Sequence, residues 1–281
     1  MSMIRVSLFT LLAMLAFAGN SLLCRLALQE SDIDPASFTA LRILSGALVL
    51  WLIVGLRGES IKSSGSWLSA LALFFYAAGF SFAYLSLPTG TGALILFAAV
   101  QVTMIGYGLW TGQRLSTVQA AGFLIAFGGL VGLLLPGLTT PPLEGALLML
   151  AAGLAWGIYS LRGTEIGDAT LLTAGNFLRA APFAAGLGAV MLPWATFDWT
   201  GFFYAILSGA VASGLGYVIW YQALQGLRAV SAATVQLSVP VIAAIGGIIF
   251  LGEQLTMRLL LASIAILGGI AMVTFNRRSA E

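Results

Sequence analysis

The sequence predicts an all-α integral membrane protein of ten transmembrane helices, arranged as two inverted five-helix repeats. Three observations carry this prediction: 60% of the 281 residues are hydrophobic, only 8% are charged, and apolar stretches of about 20 residues recur along the whole chain. Soluble proteins carry about 25% charged residues, so this chain has too few charges to cover a surface in water. Soluble, disordered and collagen-like classes are therefore excluded.

Ten apolar stretches lie between breaks formed by charged residues, prolines and glycines. Each is continuously apolar, whereas the strands of membrane β-barrels alternate apolar and polar residues, so helices are predicted. The connections between the stretches are short. The predicted spans are residues 6–26, 35–56, 67–87, 91–110, 117–135, 143–161, 169–192, 200–224, 231–251 and 257–275.

The first span has a second interpretation as a cleaved secretory signal. Arg5 precedes an apolar run, and Ala16-Phe17-Ala18 resembles a signal-peptidase site. The apolar run continues past that site to Leu28, and the internal repeat described below needs this segment as a helix. A retained first span is therefore favoured.

Basic residues predict the orientation, because cytoplasmic loops retain lysine and arginine. Arg25 and Arg258 fall on the outer side, and Arg42 and Arg179 lie inside spans. The other eight basic residues fall on the cytoplasmic side if the N-terminus is inside: Arg5, Arg57, Lys62, Arg114, Arg162, Arg228, Arg277 and Arg278. Both termini are therefore expected in the cytoplasm.

The second half of the chain repeats elements of the first half in the same order. The motif at residues 110–116 recurs at residues 250–256, and Arg42 in the second span corresponds to Arg179 in the seventh. Five spans in each half are an odd number, so the second half must enter the membrane inverted. Inverted repeats are typical of secondary transporters that bind substrate near the membrane midplane. The predicted division is residues 1–138 and 139–281.

These elements resemble the drug/metabolite transporter superfamily, and within it the EamA-type permeases. The resemblance rests on the five-plus-five repeat, a Leu-Gly-Glu-x-Leu element at residues 251–255 followed by Gly268-Gly269, Trp156-Gly157 in the sixth span and Pro240 in the ninth. It implies a multi-pass transporter of a bacterial inner membrane that exports amino acids or other metabolites. Bacterial aromatic amino acid exporters are the group that it resembles most.

The first half departs from this family pattern at three positions. Gln113 stands where the pattern has Glu, Val100 where a Pro would match Pro240, and Ala18 where a Trp would match Trp156. These departures affect the expected contacts of the first half rather than the expected fold.

Acidic residues are absent from the middle of every predicted span. A carboxylate that exchanges protons with cationic drugs, as in the related small multidrug transporters, is therefore not expected, and neither is the carboxylate pair of an intramembrane aspartyl protease. The ten acids fall in or near loops: Glu30, Asp32, Asp34, Glu59, Glu144, Glu165, Asp168, Asp198, Glu253 and Glu281.

Other absences narrow the chemistry further. The chain has no histidine and one cysteine, Cys24, so His-based catalysis, His metal sites and intrachain disulfides are excluded. No phosphate-binding loop motif is present. A net charge of +2 is too weak for a nucleic-acid footprint. We expect no enzyme activity, no cofactor, no metal and no nucleic-acid partner.

Arg42 and Arg179 are the charged residues expected inside the membrane, where ionisable groups by default indicate function. A guanidinium at that depth can bind a substrate carboxylate through two parallel hydrogen bonds. The alternative is that each arginine reaches the membrane interface or caps the carbonyl groups of a neighbouring helix.

Aromatic and amide side chains within the spans supply further candidates. Tyr76, Phe80 and Tyr84 recur every four residues and share a helix face. Ordinary packing is the alternative for such rings, and helix–helix contact is the alternative for the amides. The candidate substrate-binding residues are Arg42, Tyr76, Phe80, Tyr84, Gln101, Trp156, Tyr159, Asn176, Tyr217 and Trp220, with Pro240 as a candidate hinge.

A metabolite exporter that works by alternating access is the function that these features favour, with aromatic or bulky apolar amino acids as the sharper version. A membrane scaffold or assembly subunit is the alternative, and the absence of a polar cavity between the halves would favour it. The expected partners are a small-molecule substrate and the lipid bilayer. Monomer and homodimer both remain open.

Overall fold

Ten helices form the part of the chain that a computed structural model describes, which is residues 3–61, 64–112, 115–135, 140–163, 168–224, 227 and 235–275. These ranges contain no strand, and the all-α prediction is confirmed. The helices are α1 Met3–Glu30, α2 Pro35–Leu56, α3 Trp67–Ala83, α4 Thr89–Trp110, α5 Thr117–Leu134, α6 Leu143–Arg162, α7 Ala169–Met191, α8 in three consecutive parts (Trp199–Ile206, Leu207–Leu215 and Gly216–Leu224), α9 Ser238–Leu251 and α10 Met257–Phe275.

Seven of the described helices are long and apolar enough to cross a membrane, namely α1, α2 and α4 to α8. The helices α3, α9 and α10 are also apolar, but their apolar helical stretches are only 10–17 residues long. The membrane class is therefore established, while the number of ten crossings stays a prediction. Lys62, Gln113, Arg114, Glu165, Arg228, Arg277, Arg278 and Glu281 lie outside the described residues.

Some helix ends differ from the predicted ones. Helix α3 ends at Ala83 instead of residue 87, and the chain turns from Tyr84 towards Pro88. A proline disfavours helical backbone in the residue before it, so the helix cannot continue to residue 87. Helix α1 extends from Met3 to Glu30, beyond the predicted span at both ends. Helix α9 begins at Ser238, and part of the predicted ninth span lies outside the described residues.

Aspartates that the sequence places in loops begin several helices. Asp34 accepts hydrogen bonds from the backbone N–H groups of Ala36 and Ser37, both at 2.9 Å. Asp168 caps α7 in the same way, and Asp198 caps α8. A carboxylate at this position satisfies N–H groups that have no partner within the helix and complements the positive end of the helix dipole. These acids are therefore used to fix helix ends.

The helices pack in a pattern that a two-fold relation between the halves would produce. Helices at equivalent places in the two halves pair directly, as α5 with α10, α2 with α7 and α4 with α9. The other large contacts occur in equivalent pairs. The contact of α3 with α6 corresponds to that of α8 with α1. In the same way, α4 with α6 corresponds to α9 with α1, and α3 with α7 corresponds to α8 with α2. The centre of the bundle is consequently built by α1, α2, α3 and α4 together with α6, α7 and α8.

Glycines permit the closest helix crossings. A Cβ atom on Gly209 of α8 would overlap the carbonyl oxygen of Arg42 in α2. A Cβ atom on Gly122 of α5 would lie 2.6 Å from the carbonyl oxygen of Gly269 in α10. The adjacent glycines Gly128 and Gly129 differ. A Cβ atom added to Gly129 would lie 2.8 Å from the Cβ of Ala265 in α10, whereas one added to Gly128 would meet nothing within 4 Å. Gly129 therefore permits the helix crossing, and Gly128 faces open space.

Two helices depart from regular α-helical geometry next to functional candidates. The middle part of α8, Leu207–Leu215, is π-helical, a conformation that often marks functional sites. In the ninth segment the helix is interrupted at Leu237, and α9 starts one residue later. Pro240 cannot donate to the carbonyl four residues earlier, and the Ser238 hydroxyl donates to the Val235 carbonyl at 2.6 Å. The break therefore lies where the proline removes a backbone hydrogen bond.

We expect Gly209→Ala to destabilise the protein, because the new methyl group must push α8 away from α2. Overpacking of this kind typically costs 1–3 kcal/mol. Thermal unfolding of the purified protein can be followed with a thiol-reactive dye, since the Cys24 side chain is fully buried. Gly128→Ala is the matched control and should leave the midpoint unchanged or slightly raised. Equal midpoints for the two variants would contradict the close crossing.

Candidate functional site

Helix α2 carries Arg42 into the centre of the bundle, where the residue is only 2% exposed. Its Nη2 donates to the Tyr76 hydroxyl at 2.9 Å, and its Nε donates to the Ser213 hydroxyl at 3.2 Å. The guanidinium carbon lies 5.0 Å from the ring centroid of Tyr76 and 4.9 Å from that of Phe80, within the range of a cation–π interaction. Neutral groups therefore hold this buried cation.

The Tyr76 hydroxyl connects Arg42 to a second polar group. It also accepts a hydrogen bond from Asn20 Nδ2 at 3.2 Å, and Asn20 Oδ1 accepts one from the Ser208 hydroxyl at 2.6 Å. Ser208 and Ser213 both belong to the π-helical part of α8, in which residues five apart are neighbours. The resulting polar network joins α1, α2 and α3 of the first half to α8 of the second half.

Aromatic rings from both halves surround this network. Phe17 of α1 lies edge-on to Trp156, Tyr217 and Trp220, with centroid distances of 6.2, 5.9 and 5.8 Å. The Trp156 ring lies 4.7 Å from that of Tyr76 and 4.9 Å from that of Tyr217. These separations fall in the range that favours aromatic pairs. The centre of the bundle is thus a cluster of rings from α1, α3, α6 and α8.

A small cavity lies within the ring cluster. The space open to the centre of a water molecule is about 10 Å³, which is about enough for one water molecule. Among the described residues, this central cavity has no room for an amino acid. The cavity is lined from both halves by Phe17, Asn20, Ser21, Tyr76, Phe80, Leu96, Phe97, Trp156 and Tyr217.

Two buried polar atoms near the cavity have no hydrogen-bond partner among the described residues. They are Arg42 Nη1 and the Tyr217 hydroxyl. Most buried polar groups in proteins are paired, so each exception needs an explanation. Here one exception is the Arg42 cation, and the other is the Tyr217 hydroxyl, which lies close to both Arg42 and the Tyr76 hydroxyl. A bound anion would pair with Arg42 Nη1.

The structure places the predicted site residues in three groups. Tyr76, Phe80, Trp156 and Tyr217 line the central cavity, and Arg42 lies directly behind Tyr76. Tyr159 and Trp220 contact the cavity rings without lining the cavity: Tyr159 stacks on Trp156 at 5.4 Å, and Trp220 meets Phe17.

Three predicted site residues direct their polar atoms away from the central cavity. The Tyr84 ring packs edge-on to Phe80 at 4.8 Å, but its hydroxyl donates to the Thr89 carbonyl at the start of α4. Gln101 lines a separate small cavity between α4, α5 and α10, where its Nε2 has no partner among the described residues. Asn176 Oδ1 accepts a hydrogen bond from the Ser66 N–H, just before α3. The rotation of each helix about its axis decides where these side chains point. Sequence spacing alone does not determine that rotation.

Sequence reasoning left several central residues out of the candidate set. Ser208 and Ser213 are hydroxyl residues within an otherwise apolar span, and this was the available signal. Asn20 carries the same signal, since it is an amide in the middle of the first span and needs a polar partner there. Phe17, Ser21, Leu96 and Phe97 complete the cavity lining, and nothing in their spacing distinguishes them from ordinary packing residues.

One end of the bundle, predicted to face outward, is closed by Glu253. Both of its carboxylate oxygens accept the Thr89 backbone N–H at 2.8 Å, and Oε1 accepts the Thr89 hydroxyl at 2.9 Å. Arg25 Nε lies 3.6 Å from the same oxygen, and Arg25 Nη1 donates to the Tyr84 carbonyl at 2.7 Å. The carboxylate thus ties the segment after α9 to the N-terminus of α4 and to α1.

Arg179 lies towards the opposite end and binds backbone carbonyls. Its Nη1 donates to the carbonyls of Ser64 and Gly175, the latter at 3.0 Å. Arg162 Nε nearby donates to the Ser69 hydroxyl at 3.0 Å. Arg42 and Arg179 are equivalent in sequence, yet only Arg42 reaches the ring cluster. The carbonyl-capping interpretation therefore describes Arg179, and among the described residues Arg42 is the arginine at the polar centre.

The fold and its central site define a helical membrane transporter built from two repeats, and comparison with known proteins names the family. The model of the EamA-like transporter family matches the chain twice, at residues 4–135 and 143–275. The chain belongs to this family. A protein of known crystal structure aligns over 100% of both chains with a TM-score of 0.68 at 20% identity, which shows a shared fold.

Relatives are similar over all or part of the chain. An uncharacterized protein of Pseudomonas aeruginosa is 56% identical over 97% of this chain and 96% of its own length. A probable amino-acid metabolite efflux pump of Salmonella typhimurium is 26% identical over 68% of this chain and 69% of its own length. The threonine/homoserine exporter RhtA of the same organism is 34% identical over 44% of this chain and 43% of its own length.

We expect Tyr76→Phe to lower stability, because the variant keeps the ring but removes the acceptor for Arg42 and Asn20. Leaving buried donors unpaired costs about 1–3 kcal/mol, and more for charged groups. The thiol-dye unfolding midpoint should fall by several degrees. Tyr107→Phe is the control, since Tyr107 is 52% exposed, and it should unfold like the wild type. A Tyr76→Phe midpoint within error of this control would show that the hydroxyl network is not formed.

Proposed function

We propose that this protein exports small metabolites across the inner membrane by alternating access between its two halves, residues 1–138 and 139–281. Amino acids and related carboxylates are the proposed cargo, with aromatic or bulky apolar side chains favoured. The observation that carries this proposal is the buried guanidinium of Arg42, whose Nη1 lacks a partner among the described residues, beside a cavity that both halves line.

A cargo carboxylate is the group that best fits this guanidinium. No acidic residue touches Arg42 within the described ranges, so its charge is balanced only by hydroxyls and ring faces. Arginine binds carboxylates through paired, charge-assisted hydrogen bonds. Tyr76, Asn20 and Tyr217 surround the cavity with further polar atoms, which would orient the bound group.

The rings of the cavity favour an apolar or aromatic side chain on the cargo. Trp156, Tyr217 and Phe17 present ring faces and edges to the cavity from three different helices. Small-molecule sites are typically apolar pockets with a few well-placed polar groups. The two Salmonella relatives named as an amino-acid metabolite efflux pump and a threonine/homoserine exporter support an amino-acid-like cargo.

Alternating access requires that the closed centre opens towards one side at a time. The Glu253 contacts with Thr89 and Arg25 hold the outer end shut, so they must break when that end opens. Packing of equivalent helices across the two-fold relation supports an exchange of conformations between the halves. The break before Pro240 provides a candidate hinge for this motion.

A membrane scaffold is the second candidate, and the small size of the central cavity favours it. A scaffold needs no room for cargo, and about 10 Å³ is available here. The unpaired cation at the centre favours transport, because a solidly packed scaffold gains nothing from an unsatisfied buried charge. Flux measurements separate the two functions.

Purified protein in liposomes should move at least one labelled amino acid or related carboxylate from a panel that spans aromatic, aliphatic and hydroxylated side chains. Arg42→Gln should reduce that flux at least tenfold, because it removes the charge that binds the carboxylate. Arg57→Gln is the matched control and should transport normally, since Arg57 pairs with Asp168 at an exposed helix end. A folded protein without flux for any panel member would favour the scaffold.

Glu253→Gln should open the outer end more often, because the amide lacks the charge that binds Arg25 and the start of α4. Cys24 is fully buried one residue before Arg25, so its labelling by a membrane-impermeant thiol reagent reports this opening. We expect several-fold faster labelling than in the wild type. Glu144→Gln makes the same chemical change at an exposed acid and should not alter the rate. Equal rates for the two variants would rule out Glu253 as the outer closure.

A further inference from the structure

The centre of the protein carries an unbalanced positive charge. Arg42 is buried there, and the described acidic residues all lie elsewhere. Glu253 is paired with Arg25, and Asp34, Asp168 and Asp198 cap helices. The four remaining described acids are exposed: Glu30, Asp32, Glu59 and Glu144.

The groups that surround Arg42 solvate its charge without cancelling it. Tyr76 and Ser213 accept its hydrogen bonds as neutral hydroxyls. The faces of Tyr76 and Phe80 add cation–π contacts. A buried charge without a counter-ion is costly in a medium of low dielectric constant. A ligand with a net negative charge would therefore gain free energy by neutralising this site.

The uncompensated charge of this site distinguishes two kinds of carboxylate. An amino acid at neutral pH is a zwitterion, so its binding brings an ammonium group next to an existing cation and leaves the total charge of the site unchanged. No carboxylate in the described part of the chain is placed to receive that ammonium. Ring faces can bind ammonium groups, but those of Tyr76 and Phe80 already contact Arg42. The Trp156 ring lies 4.7 Å from the Tyr76 ring, so an ammonium group on it would still lie close to the uncompensated guanidinium.

We propose that the preferred cargo is a net monoanion, a carboxylate with an apolar or aromatic body and no compensating ammonium group. Deaminated counterparts of amino acids have this chemistry. This proposal rests on the proposed function in one respect, namely that transport takes place at the Arg42 site. It narrows the cargo class within that function. Arg42 is the residue that determines this charge preference.

A monoanionic cargo also determines the energetics of export. The protein returns to its starting state after each cycle, so the charge moved per cycle is that of the cargo. A cytoplasm that is electrically negative drives an anion outward. Export then needs no carboxylate that exchanges protons within the membrane, and none is present among the described acids.

The first experiment compares matched ligand pairs that differ only by the amino group. Calorimetric titration of the wild-type protein in lipid nanodiscs would use 3-phenylpropanoate against L-phenylalanine, and 4-methylpentanoate against L-leucine. We expect the carboxylate to bind at least tenfold more tightly in at least one pair. Amino acids that bind as tightly or more tightly in every pair would overturn this inference and leave the proposed function intact. No binding by any member would contradict both.

Arg42 variants test whether this residue sets the preference. Arg42→Lys keeps the positive charge and should retain a preference for the carboxylate, whereas Arg42→Gln should reduce it to less than about twofold. A full preference in folded Arg42→Gln would overturn the role of Arg42. The wild-type ligand pairs still decide the charge of the preferred cargo if either variant fails to fold.

A potassium gradient with valinomycin sets the potential across proteoliposomes and tests the charge that crosses. An interior-positive potential of about 60 mV should sustain about tenfold accumulation of the preferred carboxylate, which is the ratio expected for one negative charge per molecule. Equilibration without accumulation would show that the cargo crosses without net charge, and would overturn the monoanion proposal.

Discussion

A guanidinium in an apolar interior is stable only where other groups replace the water that it loses. Arg42 meets this constraint through the Tyr76 and Ser213 hydroxyls and two ring faces. The partners come from α3 and α8, and their positions require the close crossing of α8 over α2 at Gly209. The π-helical stretch of α8 turns its serines towards this centre. The ring cluster, the cavity and the proposed cargo site are all organised around this one buried cation.

The two halves share an architecture but differ in charge at equivalent places. Arg42 lies in the ring cluster, whereas Arg179 binds backbone carbonyls that include that of Ser64. Glu253 closes one end with a carboxylate, and its sequence equivalent is Gln113, which carries no charge. The two-fold pattern of helix packing is therefore not carried through to the charged residues.

Much of this arrangement could be predicted from the sequence. Apolar runs of sufficient length predict helices because a bilayer imposes internal hydrogen bonding, and the rings Tyr76 and Tyr217 stand out as large groups in mid-span. Rotation of each helix about its axis and the contacts between helices are not encoded in spacing, so Asn176 was grouped with the pocket although it binds the chain before α3. Ser213 was missed because the π-helical stretch changes which side its residues face.

A structure determined with the tightest-binding carboxylate would test the central claim most directly. In such a complex we expect a cavity larger than the present one, with the carboxylate within hydrogen-bond distance of Arg42 Nη1 and the apolar body against Trp156 and Tyr217. The Tyr217 hydroxyl should gain a partner in the same complex. A ligand bound elsewhere, with Arg42 still covered by Tyr76 and Phe80 and the central cavity unchanged, would contradict the account.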